Sequence, residues 1–187
     1  MNTLLHTCCA PCSIHCVDSL RQEGIEPVSY WFNPNIHPYT EYRSRKTTLE
    51  QYASFIGLKL IIDNTYGLRS FVKAVIDDLD HRCFYCYQVR LEQTARYAAE
   101  HHFDSFTTTL LVSPYQKHEA LIAAGEAAAQ KYGVPFLRSC WMPCPRMRKD
   151  VPSCVPAGMV KGVVPSSVGT SISPPSAACV KEIGTSQ

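Results

Sequence analysis

The stretch Thr3-Leu4-Leu5-His6-Thr7-Cys8-Cys9-Ala10-Pro11-Cys12-Ser13 constrains this chain more than any other. An apolar run stops at Thr7, and a helix is expected to start near Pro11. Two adjacent thiols therefore sit on a strand-to-helix turn, with Cys12 and Cys16 following. Such turns carry the chemistry of α/β proteins, because the strand fixes position and the helix N-terminus favours an anion. Adjacent thiols serve packing poorly and metal binding well.

The rest of the chain repeats the alternation. Residues 12–23 read as a helix with Cys12, Cys16, Val17 and Leu20 at helical spacing, Cys16 being a small core residue. Pro27 to Phe32 reads as a strand, ending in the loop Asn33-Pro34-Asn35-Ile36-His37-Pro38-Tyr39. Tyr39 to Ile56 is a polar helix closed by Gly57, and Leu58 to Ile62 a third strand. Leu68, Phe71, Val72, Val75, Ile76 and Leu79 form an i, i+3, i+4, i+7 stripe, which predicts a helix over 67–80 with one buried face.

Arg82-Cys83-Phe84-Tyr85-Cys86 then leads into a helix reaching about His102. Asp104 to Val112 is rich in β-branched residues and reads as a strand; Thr107-Thr108-Thr109 is put down to strand propensity. Tyr115 to Tyr132 reads as an Ala-rich helix, and Val134 to Leu137 as one more strand. Alternating strands and helices imply a Rossmann-like parallel sheet with helices on both faces. Ligands in such sheets bind outside the carboxyl ends of the strands. Cys8 and Cys9, the Asn33–Tyr39 loop and the Ser113–His118 turn are expected to converge there.

After Leu137 the text changes. No Phe or Tyr follows Phe136, and Pro, Ser, Val and Gly dominate. Residues 1–137 are read as one α/β catalytic-type domain. Residues 138–187 are read as an atypical tail that buries too little to offset its ordering entropy, whose sharper explanation is a shifted reading frame near 138.

No apolar run approaches the roughly 20 residues of a membrane span, and the start lacks a signal peptide, so a cytoplasmic protein with no membrane partner is expected. Ten cysteines in 187 residues then point to metal ligation or redox work rather than disulfides. A net charge of +2 neither requires nor excludes a nucleic-acid partner.

Cys8 and Cys9 with Cys83-x-x-Cys86 supply four thiolates, which suit zinc or an iron–sulfur cluster. Successive side chains are expected to diverge, so adjacent cysteines fit a polynuclear cluster better than a single ion; metal-free dithiol chemistry stays open. Cys12 could ligate a further metal, shuttle electrons or pack. Lys117 and His118 open a helix and suit a phosphate or nucleotide, against the plain reading of a solvated first turn. Neither G-x-G-x-x-G nor G-x-x-x-x-G-K-[ST] is present.

Four segments resemble the cobalamin-independent epoxyqueuosine reductases. They are Leu4 to Ser13; Tyr30 to Tyr42 with Phe32-Asn33-Pro34-Asn35-Ile36-His37-Pro38; Cys83-x-x-Cys86 with Arg90 and Thr94; and Phe106 to His118. The resemblance runs from residue 3 to about 137. It implies a HUP-like α/β fold and reduction of epoxyqueuosine to queuosine in the tRNA wobble position, with release of water.

It also implies a 4Fe–4S cluster on Cys8, Cys9, Cys83 and Cys86, and an additional iron held partly by a non-cluster cysteine, for which Cys12 is the candidate, and by a carboxylate that this chain is expected to lack. Arg90, Tyr115, Lys117 and His118 are candidates for holding tRNA, and an unidentified electron donor is required. The family continues past this point with an Asp-Phe-Arg stretch, helices and a Cys-x-Cys. Here Leu137 is followed by Arg138-Ser139-Cys140, and Cys140, Cys144, Cys154 and Cys179 form no such pair. The chain is therefore expected to bind a cluster with impaired turnover. The competing reading is a non-catalytic zinc- or cluster-containing module that binds tRNA or nucleotide.

Overall fold

A computed structural model describes residues 1–138. The frameshift reading and the tail concern residues outside that range. The elements are β1 (Thr3–His6), α1 (Ala10–Gln22), β2 (Val28–Trp31), α2 (Tyr39–Ile56), β3 (Leu60–Ile62), α3 (Leu68–Val75), α4 (Arg82–Glu100), β4 (Ser105–Thr108), a 3₁₀ turn (Thr109–Val112) and α5 (His118–Tyr132).

The four strands lie in the order β3-β2-β1-β4, all parallel. Leu5 stands beside Ser29 on one side and Thr107 on the other, which fixes the register. The chain builds outward from β1 to β2 and β3, then crosses back to place β4 on its other side. β1 is thus the topological switch point, and the crevice of a doubly wound sheet opens beyond its carboxyl end. Cys8 and Cys9 stand there.

Consecutive residues of β2 show that both faces are covered, since side chains alternate along a strand. The Tyr30 ring stacks on Tyr97 of α4, with centroids 4.7 Å apart, while Trp31 meets Tyr42 of α2 edge-on at 5.6 Å. Val28, Leu4, Leu5, Leu91, Ala95 and Leu121 fill the main core; Trp31, Leu49 and Tyr52 anchor the other. The polar residues of the strands are buried in pairs. Thr3 meets Ser105 at 3.0 Å, Thr7 meets Ser29 at 2.7 Å, and His6 Nδ1 meets the Thr108 hydroxyl at 2.8 Å.

Four expectations are corrected. The stripe at 67–80 forms a helix only over Leu68–Val75, and of that helix only Val75 is buried. Leu68, Val72, Ile76 and Leu79 are exposed among the described residues, so periodicity reported amphipathicity but not coverage. The run from Asp104 to Val112 is a strand only to Thr108. There the Thr108 hydroxyl accepts the Leu110 N–H at 3.2 Å and starts the 3₁₀ turn. Finally, α5 begins at His118 rather than Tyr115, with Lys117 as its N-cap. Val134 to Leu137 contributes one parallel bridge, Phe136 beside Phe106, instead of a full strand. No described helix is long and apolar enough to cross a membrane.

Candidate metal centre

A cavity of about 1020 Å³ opens where the strands end. β1 and the N-terminus of α1 bring Cys8, Cys9 and Cys12 to it; the first turns of α4 bring Cys83, Cys86 and Arg90. The loop after β2 supplies Asn35 and Ile36, α2 supplies Ser44, Arg45 and Thr48, and the segment after the 3₁₀ turn supplies Ser113 and Gln116. The three expected strand-end segments do converge. No Asp or Glu lines the cavity among the described residues, and its charged side chains are Arg45, Arg82 and Arg90.

The thiols are closer than their sequence spacing indicates. Cys8 Sγ and Cys9 Sγ are 3.8 Å apart, and with Cys12 Sγ all three lie within 4.8 Å of one another. The expected divergence of adjacent side chains is corrected here. Cys9 is extended, with φ −174° and ψ 164°, at the last position before α1, and its side chain turns to the same side as that of Cys8. Cys12, one helical turn on, completes the group. Cys83 and Cys86 face the same cavity outside that tight triad, on the first two turns of α4 rather than on a loop before it.

Electrostatics follow from this crowding. Hydrogen bonds from Cys12 and Cys9 hold the Cys8 thiol well below its usual range, against the effect of burial. The Cys12 hydrogen bond favours the Cys9 thiolate too, but the Cys8 hydrogen bond, burial and the Cys8 charge outweigh it and push Cys9 up to about 12. Cys12 is raised by its bonds to Cys8 and Cys9 and by burial. Burial raises Cys86, with the Arg90 charge opposing. Arg90 itself is 6% exposed and is lowered by burial, with the thiolate of Cys8 pulling the other way. His6 falls to about 4 through burial and then the Arg90 charge, so its ring is neutral at pH 7. Its Nε2 lies 3.2 Å from the Phe32 carbonyl, a contact in which only the ring nitrogen can donate.

Five cysteine thiols with no carboxylate form a soft donor set, which fits a thiophilic metal centre. Cys8, Cys9 and Cys12 could hold a metal ion by themselves.

The other expected residues are dispersed. Tyr115, 74% exposed, and Lys117 and His118 are not part of the cavity lining. His118 Nε2 donates to the Ser113 carbonyl at 2.9 Å, the Lys117 N–H donates to the Tyr87 hydroxyl at 3.1 Å, and the Lys117 ammonium lies 5.6 Å from the Phe84 ring centroid. Sequence reasoning passed over Thr109, whose hydroxyl touches Cys8. Strand propensity does not announce this contact, because it arises where the Thr108 hydroxyl starts the 3₁₀ turn and the chain leaves the regular strand.

The comparisons with known proteins agree with this geometry. A family model described as epoxyqueuosine reductase QueH matches residues 3–159, past the boundary expected near 137. The protein named epoxyqueuosine reductase QueH from Dehalococcoides mccartyi is 38% identical over 133 residues, covering 71% of this chain and 73% of its own length. The proteins of the same name from Helicobacter pylori and Histophilus somni are 33% and 36% identical, over 72% and 69% of this chain. This chain spans only 38% and 55% of those two relatives.

Among solved structures, a Methanocaldococcus jannaschii protein described as a predicted subunit of tRNA methyltransferase matches with a TM-score of 0.53 and 15% identity. It covers 73% of this chain and 66% of its own; that likeness shows the fold alone. With most of its length matched by the family model and five of its cysteines gathered on one cavity, this chain belongs to the epoxyqueuosine reductase QueH family.

Proposed function

We propose that this chain reduces epoxyqueuosine in tRNA to queuosine, with a 4Fe–4S cluster held by Cys8, Cys9, Cys83 and Cys86. The observation that carries the reading is the arrival of thiols from two distant segments on one cavity that contains no carboxylate among the described residues. The reaction consumes two electrons and two protons; the two epoxide C–O bonds break, a carbon–carbon double bond forms, and the oxygen leaves as water. Bound there, the cluster would supply electrons singly, and an additional iron beside Cys12 would act as a Lewis acid toward oxygen.

The chain's own residues supply the setting. Cys12 is free of the proposed cluster set yet within 4.8 Å of Cys8 and Cys9, as a ligand to a neighbouring iron should be. Arg90 offsets the negative charge of several thiolates in a poorly solvated site. Arg45 and Arg82 line the wall where a modified nucleotide, extruded from its RNA, would bring its phosphates. Tyr115, Lys117 and His118, on the segment leading into α5, are assigned to the tRNA outside the cavity. A tRNA substrate and an electron donor imply work in the cytoplasm. The lack of the Asp-Phe-Arg stretch and of a Cys-x-Cys bears on rate: the chain is expected to load its cluster and turn over more slowly than the Dehalococcoides mccartyi relative.

The test is anaerobic incubation of the iron-loaded full chain with tRNA containing epoxyqueuosine and a strong one-electron reductant, followed by mass spectrometry of the nucleosides. Loss of one oxygen from the modified nucleoside is the expected result. Binding of the tRNA with no deoxygenation at any enzyme concentration would instead make this chain a non-catalytic metal-containing module.

A further inference from the structure

We propose that Thr109 is a positioning residue that sets the electron affinity of the metal centre through Cys8; the inference rests on the cluster reading above. The Thr109 hydroxyl contacts Cys8 twice. Its oxygen accepts the Cys8 backbone N–H at 3.1 Å, and its Oγ1 lies 3.3 Å from Cys8 Sγ. A backbone N–H can only donate, so the oxygen is occupied as an acceptor and its single hydrogen is free for the sulfur. Thr109 is fully buried, so bulk water does not compete for that hydrogen.

The surrounding fold holds the contact rigidly. Thr108, the preceding residue, is tied to His6 at 2.8 Å and accepts the Leu110 N–H, which turns the chain out of β4. That turn swings Thr109 off the strand and against Cys8. A regular strand continuing through Val112 would not make it.

The consequence is electrostatic. Reduction adds negative charge to a thiolate-ligated centre, and part of that charge resides on the ligand sulfurs. A hydrogen bond donated to such a sulfur stabilises the reduced state more than the oxidised one. Only this preference for the reduced state counts, and its loss should change the oxidised-to-reduced ratio about tenfold. For one electron that is about 59 mV.

The test compares wild type, Thr109→Val and Thr109→Ser as full chains reconstituted anaerobically with iron and sulfide, by reductive titration followed by electron paramagnetic resonance. Valine keeps the shape and removes the hydroxyl; serine keeps the hydroxyl. Thr109→Val should bind the same iron as wild type and have a midpoint about 59 mV more negative. Thr109→Ser should stay near wild type. A loaded Thr109→Val with the wild-type midpoint overturns the inference, and so does Thr109→Ser shifted as far as Thr109→Val, since packing would then be the cause.

If Thr109→Val does not load, the smaller Thr109→Ala replaces it in the same titration. A midpoint more negative than both wild type and Thr109→Ser supports the sulfur hydrogen bond, and a wild-type midpoint overturns it. A wild-type chain that takes up no iron and sulfide removes the cluster reading itself, and the inference falls with it.

Discussion

Arg90 donates its Nε hydrogen to the carbonyl oxygen of Cys86 at 2.9 Å, one helical turn back along α4, and so fixes its guanidinium against the thiols of the cavity. A buried cation costs stability unless it is paired. The arrangement predicts different effects of one substitution in the two forms. In Arg90→Met the iron-free protein should change little in stability, because the desolvation cost of the buried cation goes together with its attraction to the Cys8 thiolate. Its affinity for iron and sulfide should fall, about tenfold for a loss near 1.4 kcal/mol. Thermal denaturation of the iron-free form and competitive chelation of the loaded form check the two halves. Unchanged iron affinity would contradict the role given to Arg90.

Gly67, at the N-cap of α3, presses on the loop that carries Asn35 and Ile36 into the cavity. A Cβ at Gly67 would stand 2.5 Å from Pro34 Cβ and 3.0 Å from its carbonyl oxygen. The usual gain from replacing glycine is about 0.4–1 kcal/mol, and overpacking costs about 1–3 kcal/mol. Overpacking should win, because a backbone atom cannot swing aside. Gly67→Ala should lose about 1–2 kcal/mol in urea unfolding. Stability equal to or above wild type would mean that α3 moves freely relative to the Pro34 loop.

Thr108 closes a buried polar chain from the Phe32 carbonyl through His6 to the Leu110 N–H. Thr108→Val leaves a ring nitrogen and a backbone N–H without partners. Each such group costs about 1–3 kcal/mol, so a loss of at least ~2 kcal/mol is expected in denaturant unfolding. A loss under ~0.5 kcal/mol would show that the network does not hold the ends of β1 and β4.

Much of this was legible in the sequence because it rests on periodicity. Leu4–Leu5, Tyr30–Trp31 and Phe106 read as strands, and the polar helix Tyr39–Ile56 and the Ala-rich helix ending at Tyr132 close at Gly57 and Gly133 as expected, only the start of the second having moved. The alternation then placed Cys8 and Cys9 at a strand end. What was not legible depends on tertiary contacts. Thr107 to Val112 looks like unbroken strand until the Thr108 side chain captures the Leu110 N–H. The stripe of α3 announces an apolar face but cannot say whether a partner covers it. The approach of Cys8 and Cys9 comes from one extended residue at a helix start, which no spacing rule contains. Cys83-x-x-Cys86 was grouped with them as a four-thiolate set, and the fold puts all of them on one cavity.

Cys12 is assigned to a second metal rather than to the cluster, and this separates two measurements. Cys12→Ala should retain the cluster's iron and sulfide and its spectrum, while deoxygenation of tRNA falls at least about a hundredfold, as expected when a Lewis acid is lost. Loss of the whole cluster in Cys12→Ala would place Cys12 in the cluster set, as the compact Cys8–Cys9–Cys12 triad would allow.

The central claim is that thiols from β1–α1 and from α4 hold one iron–sulfur centre together. Anaerobic reconstitution with iron and sulfide, with metal and sulfide counted in wild type, Cys8→Ala and Cys83→Ala, tests it most directly. The account predicts about four iron and four sulfide per wild-type chain for the cluster, and loss of that centre in both variants. Zinc bound without sulfide, or iron and sulfide retained in Cys83→Ala, would contradict it.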